Sequence, residues 1–266
     1  MAVTNDDLMF YLSTGRPEDD SSTSGGARDP KMQLLMTANT EIAGGDTLDV
    51  VSDSASDVSD LTVAGYTAAG AWVEETVTLD GVTPVTTTVE FEYVQKLELD
   101  ADAVGTVTIT QTSTPANVVH TIPAGERGAA KLFLKASANT SGGAAKSLYE
   151  KLFAGNGNAT DALISGTLTA TLNEEAHTSL TFAMGKTDGT QATGGTESVA
   201  ARTTAPTGGS SYTFGTFATA VAVGDAADGN LVADEWQPVW CKLTLEAGRT
   251  PTKDTAFTLQ LNGDAS

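Results

Sequence analysis

The chain reads as an all-β protein, built from one or two antiparallel β-sandwich domains of immunoglobulin-like or jelly-roll type behind an extended N-terminal arm. Three observations carry that reading. Thr, Val, Ala, Gly and Ser dominate the 266 residues, and Thr and Val suit pleated, half-buried surfaces while Gly and Ser punctuate turns. Apolar residues alternate in short runs separated by turn signals. The same device occurs twice, in "GAWVEETVTLDGVTPVTTTVEFEY" (70–93) and "ADEWQPVWCKLTLEAGRTPTKDTAFTLQL" (233–261): a Trp, an alternating run, an acidic-Gly corner, Thr-Pro, and a second alternating run.

Taken in order, residues 1–30 form the arm. Its apolar residues cluster in Leu8-Met9-Phe10-Tyr11-Leu12, and "STGRPEDDSSTSGGARDP" (13–30) has almost no core-forming side chains. Such a segment is a candidate clamp on a neighbouring subunit. A first β-sandwich is expected over 31–125, with strands near 32–37, 47–51, 60–64, 71–79, 85–99, 104–112 and 117–122. Gly44-Gly45, Asp80-Gly81 and Pro123-Ala124-Gly125 supply turns, and 68–71 is the tip of a hairpin. A second β-rich domain is expected over 126–266. It opens with an alternating run at 128–138 and continues with strands at 161–172, 178–184 and 212–223 and a hairpin at 238–262. Leu148, Leu152 and Phe153 recur at helical spacing ahead of Gly155, so 146–157 is its one helix-like segment. A Gly/Thr/Ser loop fills 185–211, a length that usually serves function or a partner.

In the repeated device, Trp72 and Trp240 are expected to fill core sites, and Pro84 and Pro251 to block helix and start the return strand. These four residues are the assembly and structural candidates. Trp236, at the edge of an Asp-rich turn, is the tryptophan expected at the surface.

Charge excludes several functions. Fourteen Lys and Arg stand against 34 Asp and Glu, a net charge of -20, and such a field repels nucleic acid and anionic lipid. The single cysteine, Cys241, excludes an intrachain disulfide and reads as a small apolar strand residue. No apolar run approaches the ~20 residues of a membrane span, and the acidic start lacks the positive charge of a signal peptide, which points to synthesis in the cytoplasm.

Catalytic chemistry leaves little trace. The two histidines, His120 and His177, lie in a strand pattern and a loop, and no G-x-S-x-G elbow presents a serine to either. Glu74 and Glu75 point to opposite faces of a strand, whereas Glu90 and Glu92 share a face that reads as solvated. No phosphate-binding or dinucleotide loop occurs, so no catalytic residue and no cofactor is assigned. For metals, the Asp-rich stretches are "DSASDVSD" (53–60) and "DAADGNLVADE" (225–235). Asp225, Asp228, Asn230 and Asp234 are weak calcium candidates, because the stretch lacks the residue order and distal Glu of an EF-hand, and solvated turns are the favoured reading.

"AGYTAAGAWVEETVTLDGVTPVTTTVEFEYVQKLELDADAVGTVTIT", followed by "HTIPAGERGAAKLFL", resembles virion structural proteins of tailed bacteriophages and related viruses. There a Gly-rich hairpin leads to an "E-T-V-T-L-x-G-x-T-P-V" strand and then an "I-P-A-G" turn. "DGNLVADEWQPVWCKLTLEAGRTPTKDTAFTLQLNG" is similar to closing segments of such proteins. The resemblance covers 58–138 and 225–263, about half the chain, and carries no catalytic residue. It implies a non-enzymatic role in the virus particle: a head decoration or cement protein, or alternatively a neck, tail or fibre component. The partners implied are the major capsid protein or other virion proteins and further copies of the chain, with no direct contact to nucleic acid or membrane. A carbohydrate-binding adhesion module is the reading from another class; it needs aromatic side chains gathered on one exposed face.

Overall fold

The computed structural model describes residues 2–36, 40–140, 142–173, 178–184, 195–207, 212–224, 227–250 and 256–265. Among them are eighteen strands and one short 3-10 turn, so the chain is all-β. It divides into two compact units. One is Pro30–Lys131; the other combines Met1–Asp29 with Leu132–Ser266.

The N-terminal residues expected to extend as an arm are instead paired strands, β1 (Leu8–Gly15) and β2 (Ser24–Leu34). Tyr11 and Leu12 of β1 and Met32 and Leu34 of β2 are buried, whereas residues 13–30 look coil-like because strand pairing and specific polar bonds hold much of that stretch. Ser24 donates its hydroxyl to the Tyr149 carbonyl at 2.7 Å, and Arg16 pairs with Asp29 at 2.5 Å. Gly25, at φ +90°, lets the backbone pass where a Cβ would stand 2.6 Å from the Trp240 ring.

The Pro30–Lys131 unit is a sandwich. Its strands are the end of β2, β3 (Glu41–Asp46), β4 (Leu48–Ser52), β5 (Asp60–Tyr66), β6 (Trp72–Thr78), β7 (Val85–Thr86), β8 (Phe91–Leu99), β9 (Val107–Gln111), β10 (Val118–Ile122) and β11 (Gly128–Ala130). One sheet runs β2-β11-β8-β5-β6, with β3 also on β8; the other runs β10-β9-β4-β7. Alternation aims Leu48 and Val50 of β4, Leu61 and Val63 of β5, Leu97 and Leu99 of β8 and Val107 and Ile109 of β9 into one core. The hairpin tip expected at 68–71 joins β5 to β6, closed by Gly70 N–H donating to Thr67 O with Gly70 at φ +76°.

In the other unit, β12 (Lys146–Asn156), β13 (Leu163–Asn173), β14 (Thr178–Met184), β15 (Ser198–Val199), β16 (Val221–Ala222), β17 (Glu235–Leu245) and β18 (Ala256–Ala265) follow. One sheet runs β14-β17-β12-β1-β2, with β15 on β2, and a second runs β16-β13-β18. Phe182 of β14 meets Phe257 of β18 at 5.5 Å between ring centroids, packing the sheets together.

Three local expectations change. Segment 146–157 is not helical: β12 pairs with β1 on one edge and β17 on the other and is buried on both faces, so its apolar residues lose the period-two signature and mimic helical spacing. The alternating run at 128–138 stops after Ala130 and turns, with Phe133 at φ 59° and Lys135 at φ 48°. Of the strand expected over 212–223, the described residues retain Val221–Ala222.

The twice-used Trp device is not a hairpin in either place. In the first, the acidic-Gly corner carries the chain from β6 in one sheet to β7 in the opposing sheet. In the second, it carries the chain from β17 to β18, again in different sheets. The shared grammar marks a crossing between sandwich layers.

Candidate functional site

The residues singled out by sequence reasoning separate. Trp240 is fully buried on β17, as a core site requires. Trp72 is half-buried on β6, the terminal strand of its sheet, packed edge-on against Tyr66 at 5.1 Å, and its indole N–H donates to Glu74 at 2.8 Å. Pro84 is exposed between the Asp80–Thr83 bridge and β7. Pro251 lies outside the described residues, as do Asp225 and His177. Trp236 shares its face with Trp240, but the expected exposure is corrected: only 2% of it is accessible. Tyr11 covers it edge-on at 5.1 Å, and the Arg28 guanidinium stacks on it at 4.2 Å.

The acidic turn is tied to its own neighbourhood. Asp228 accepts the Asn230 N–H at 2.9 Å, and Asp234 accepts the Trp236 indole N–H at 2.8 Å and faces Arg28 at 3.5 Å. Among the described residues no three or more His, Cys, Asp or Glu side chains gather as a metal site, and no helix is long and apolar enough to cross a membrane. His120 sits on β10, where desolvation lowers its pKa to about 4, so the imidazole is neutral at pH 7. Glu75 accepts the Thr88 N–H at 2.8 Å and the Val89 N–H at 2.8 Å, which makes it a turn clamp.

Sequence reasoning missed the buried charges of the Met1–Asp29/Leu132–Ser266 unit. Arg202, from the long loop, has a fully buried side chain. It donates to Glu150 at 3.0 Å, Asp20 at 2.6 Å, the Leu134 carbonyl at 2.8 Å and the Pro17 carbonyl at 3.3 Å. Lys146 pairs with Asp20, and Glu150 also accepts the Phe133 N–H at 2.8 Å. Burial raises the Glu150 pKa to about 7 against the pull of Arg202. For Asp20, burial pushes upward too, but hydrogen bonds from Lys146, Ser137 and Arg202 win and bring it to about 2. Four separated segments are thereby joined at one point, including the strained turn at Phe133–Lys135. Their spacing in the chain gives no motif, so only the "LYEKLF" anomaly, two charges amid apolar residues, signals it.

A second buried cation faces the other side of β12. Lys151 donates to the carbonyls of Gly195 at 3.0 Å and Glu197 at 2.7 Å, with Phe153 and Trp240 rings each 5.3 Å away. Burial lowers its pKa to about 7, with Glu197 opposing. Val199, Tyr212 and Phe214 then cover Tyr149 and Trp240. Cys241, directly opposite Glu150, is buried and its thiol pKa is raised well above the ordinary value by desolvation and then by that carboxylate, which leaves it inert as a nucleophile.

The Pro30–Lys131 unit gathers its own polar centre, Asp57, which is 1% exposed. Its carboxylate accepts the Ser52 hydroxyl at 2.6 Å, the Val104 N–H at 2.7 Å and the Gly105 N–H at 2.8 Å, while its carbonyl accepts the Gly81 N–H at 2.9 Å. The Gly125 N–H donates to Ala103 O at 2.7 Å. The "L-x-G-x-T-P" corner (79–84) and the "I-P-A-G" turn (122–125) therefore converge at one end of the sandwich. These arrangements can bind segments together and present loops. No protein-family model, no curated protein and no solved structure matches the chain.

Proposed function

We propose that the chain is a non-enzymatic structural component of a virus particle, and within that class a head decoration or cement protein that binds the outside of the shell. The observation that carries this reading is the use made of buried ionisable groups. Glu150, Lys151, Arg202, Asp20 and Asp57 each cross-link separate segments, which favours a rigid brick over a reaction centre. The resemblance of 58–138 and 225–263 to virion proteins of tailed bacteriophages supplies the setting.

The net charge of -20 supports a solvent-facing exterior position over one lining a packaged genome, which it would repel. The partners proposed are the major capsid protein or other virion proteins and further copies of the chain, in the virion after synthesis in the host cytoplasm. The alternative within the class is a neck, tail or fibre component. An adhesion module loses support: Trp236 and Trp240 are buried and Trp72 is packed on Tyr66, so the tryptophans offer no shared open face for a sugar.

Quantitative peptide mass spectrometry of purified particles tests the proposal. A copy number comparable to the major capsid protein is expected for decoration. A few copies per particle would transfer the protein to the neck, tail or fibre, and absence would overturn the virion reading.

A further inference from the structure

The end of the Pro30–Lys131 sandwich around Asp57 carries three exposed apolar side chains. Four connections meet there: 53–59, 79–84, 100–106 and 123–127. They are stitched to one another by backbone bonds from Asp53 N–H to Thr106 O, Ser52 N–H to Gly81 O and Ala103 N–H to Glu126 O. Three of the connections place a valine within one residue of a bond to Asp57. Val58 is its chain neighbour, Val82 follows Gly81, and Val104 donates its own N–H. All three are open, at 65%, 57% and 61% exposure. Single exposed valines are ordinary; here three come from separate loops that meet at the buried Asp57, one as its chain neighbour, one beside the amide bonded to its backbone carbonyl and one bonded to its carboxylate, and together they give this end an apolar tip. Valine has one side-chain torsion and the loops are already ordered, so little conformational entropy is lost on docking.

Around this centre stand the exposed Asp53, Asp60, Asp80, Asp100 and Asp102. Lys31 and Arg127 both pair with Asp102, at 3.0 and 3.2 Å, and among the described residues no cation pairs with the other four. We infer that this loop end is the docking surface of the protein, and that its occupant is a protein face with an apolar centre ringed by Lys and Arg. A second copy docked through the same end would set these carboxylates against one another, and nucleic acid or anionic lipid would meet the same repulsion. The inference rests on the virion reading for the identity of the occupant, which is then the shell protein of the particle.

The test uses particles assembled without this protein, to which the purified full chain is added back. The variants are V58S/V82S/V104S, V82K, and the control I164S/V232S, which alters exposed apolar residues of the other unit. Circular dichroism and unfolding midpoints establish folding, and V82K stands in if the triple variant does not fold. Wild type and control are expected to bind equally, more weakly in high salt, with the triple variant and V82K weakened by about tenfold or more. Folded valine variants that bind like wild type would overturn the docking surface while leaving the virion reading in place. Failure of the wild-type protein to bind the particles would overturn the occupant and the virion reading together.

Discussion

Arg202 and Glu150 show how much of this protein depends on single side chains. Arg202→Met would leave Glu150 and Asp20 without their shared guanidinium and is expected to cost about 3–5 kcal/mol in urea unfolding, the range for a buried ion pair broken on one side. The double variant R202M/E150L is expected to recover most of it; a single-variant loss below about 1 kcal/mol would contradict the role given to the cluster. The pair also sets a pH dependence. An acid whose folded pKa is raised holds its proton more tightly in the folded state, so stability from Glu150 is greatest below its ordinary 4.5 and declines as pH rises toward about 7. His120 works the other way: its depressed pKa makes stability fall as pH drops from 6.5 toward about 4. Subtracting the unfolding curve of Glu150→Gln from that of wild type is expected to isolate the declining limb, and equal pH profiles for both would contradict the assignment. Little of this was legible beforehand, because residues 20, 150 and 202 are brought together by tertiary pairing; the charged Glu150-Lys151 pair amid apolar residues is its one trace.

At the scale of elements, alternation located β4, β5, β8 and β9 because each shows one face to the core and the other away from it. It failed at β12, where pairing on both edges and burial on both faces erase the period, and over residues 13–30, where strand pairing is not accompanied by an alternating apolar run. Close packing of these strands has a measurable consequence. A Cβ on Gly155 would lie 2.3 Å from the Trp236 ring, so Gly155→Ala is expected to destabilise the unit by about 1–3 kcal/mol, seen as a lowered urea midpoint. An unchanged midpoint would mean that Trp236 is free to move. Asp57→Ala removes the acceptor for two amides from the end of the other sandwich and is expected to cost about 2–3 kcal/mol, with faster amide exchange at Val104 and Gly105. The twice-repeated corner was visible as grammar but not as geometry: a turn that crosses between sheets and one that closes a hairpin use the same residues.

Over the whole molecule, the class of fold was readable from composition and turn spacing, whereas the partition was not, because residues 1–29 join 132–266 across an inserted unit. The seventeen-member core of Pro30–Lys131 is internal to that unit, so the isolated fragment is expected to fold and to unfold cooperatively in urea. Removal of residues 1–29 deletes β1 and Asp20 and is expected to unfold the remaining unit rather than free an arm, as read by loss of its cooperative transition. The candidate surface was half legible: both of its turn motifs stood in the sequence, and only the fold brings them to one end with Val58, Val82 and Val104 around Asp57. The most direct test of the proposed role is electron cryomicroscopy of intact particles. The account predicts density for the Pro30–Lys131 sandwich on the outer face of the shell, its Asp57 end against the capsid protein; density inside the shell, or none on the particle, would contradict it.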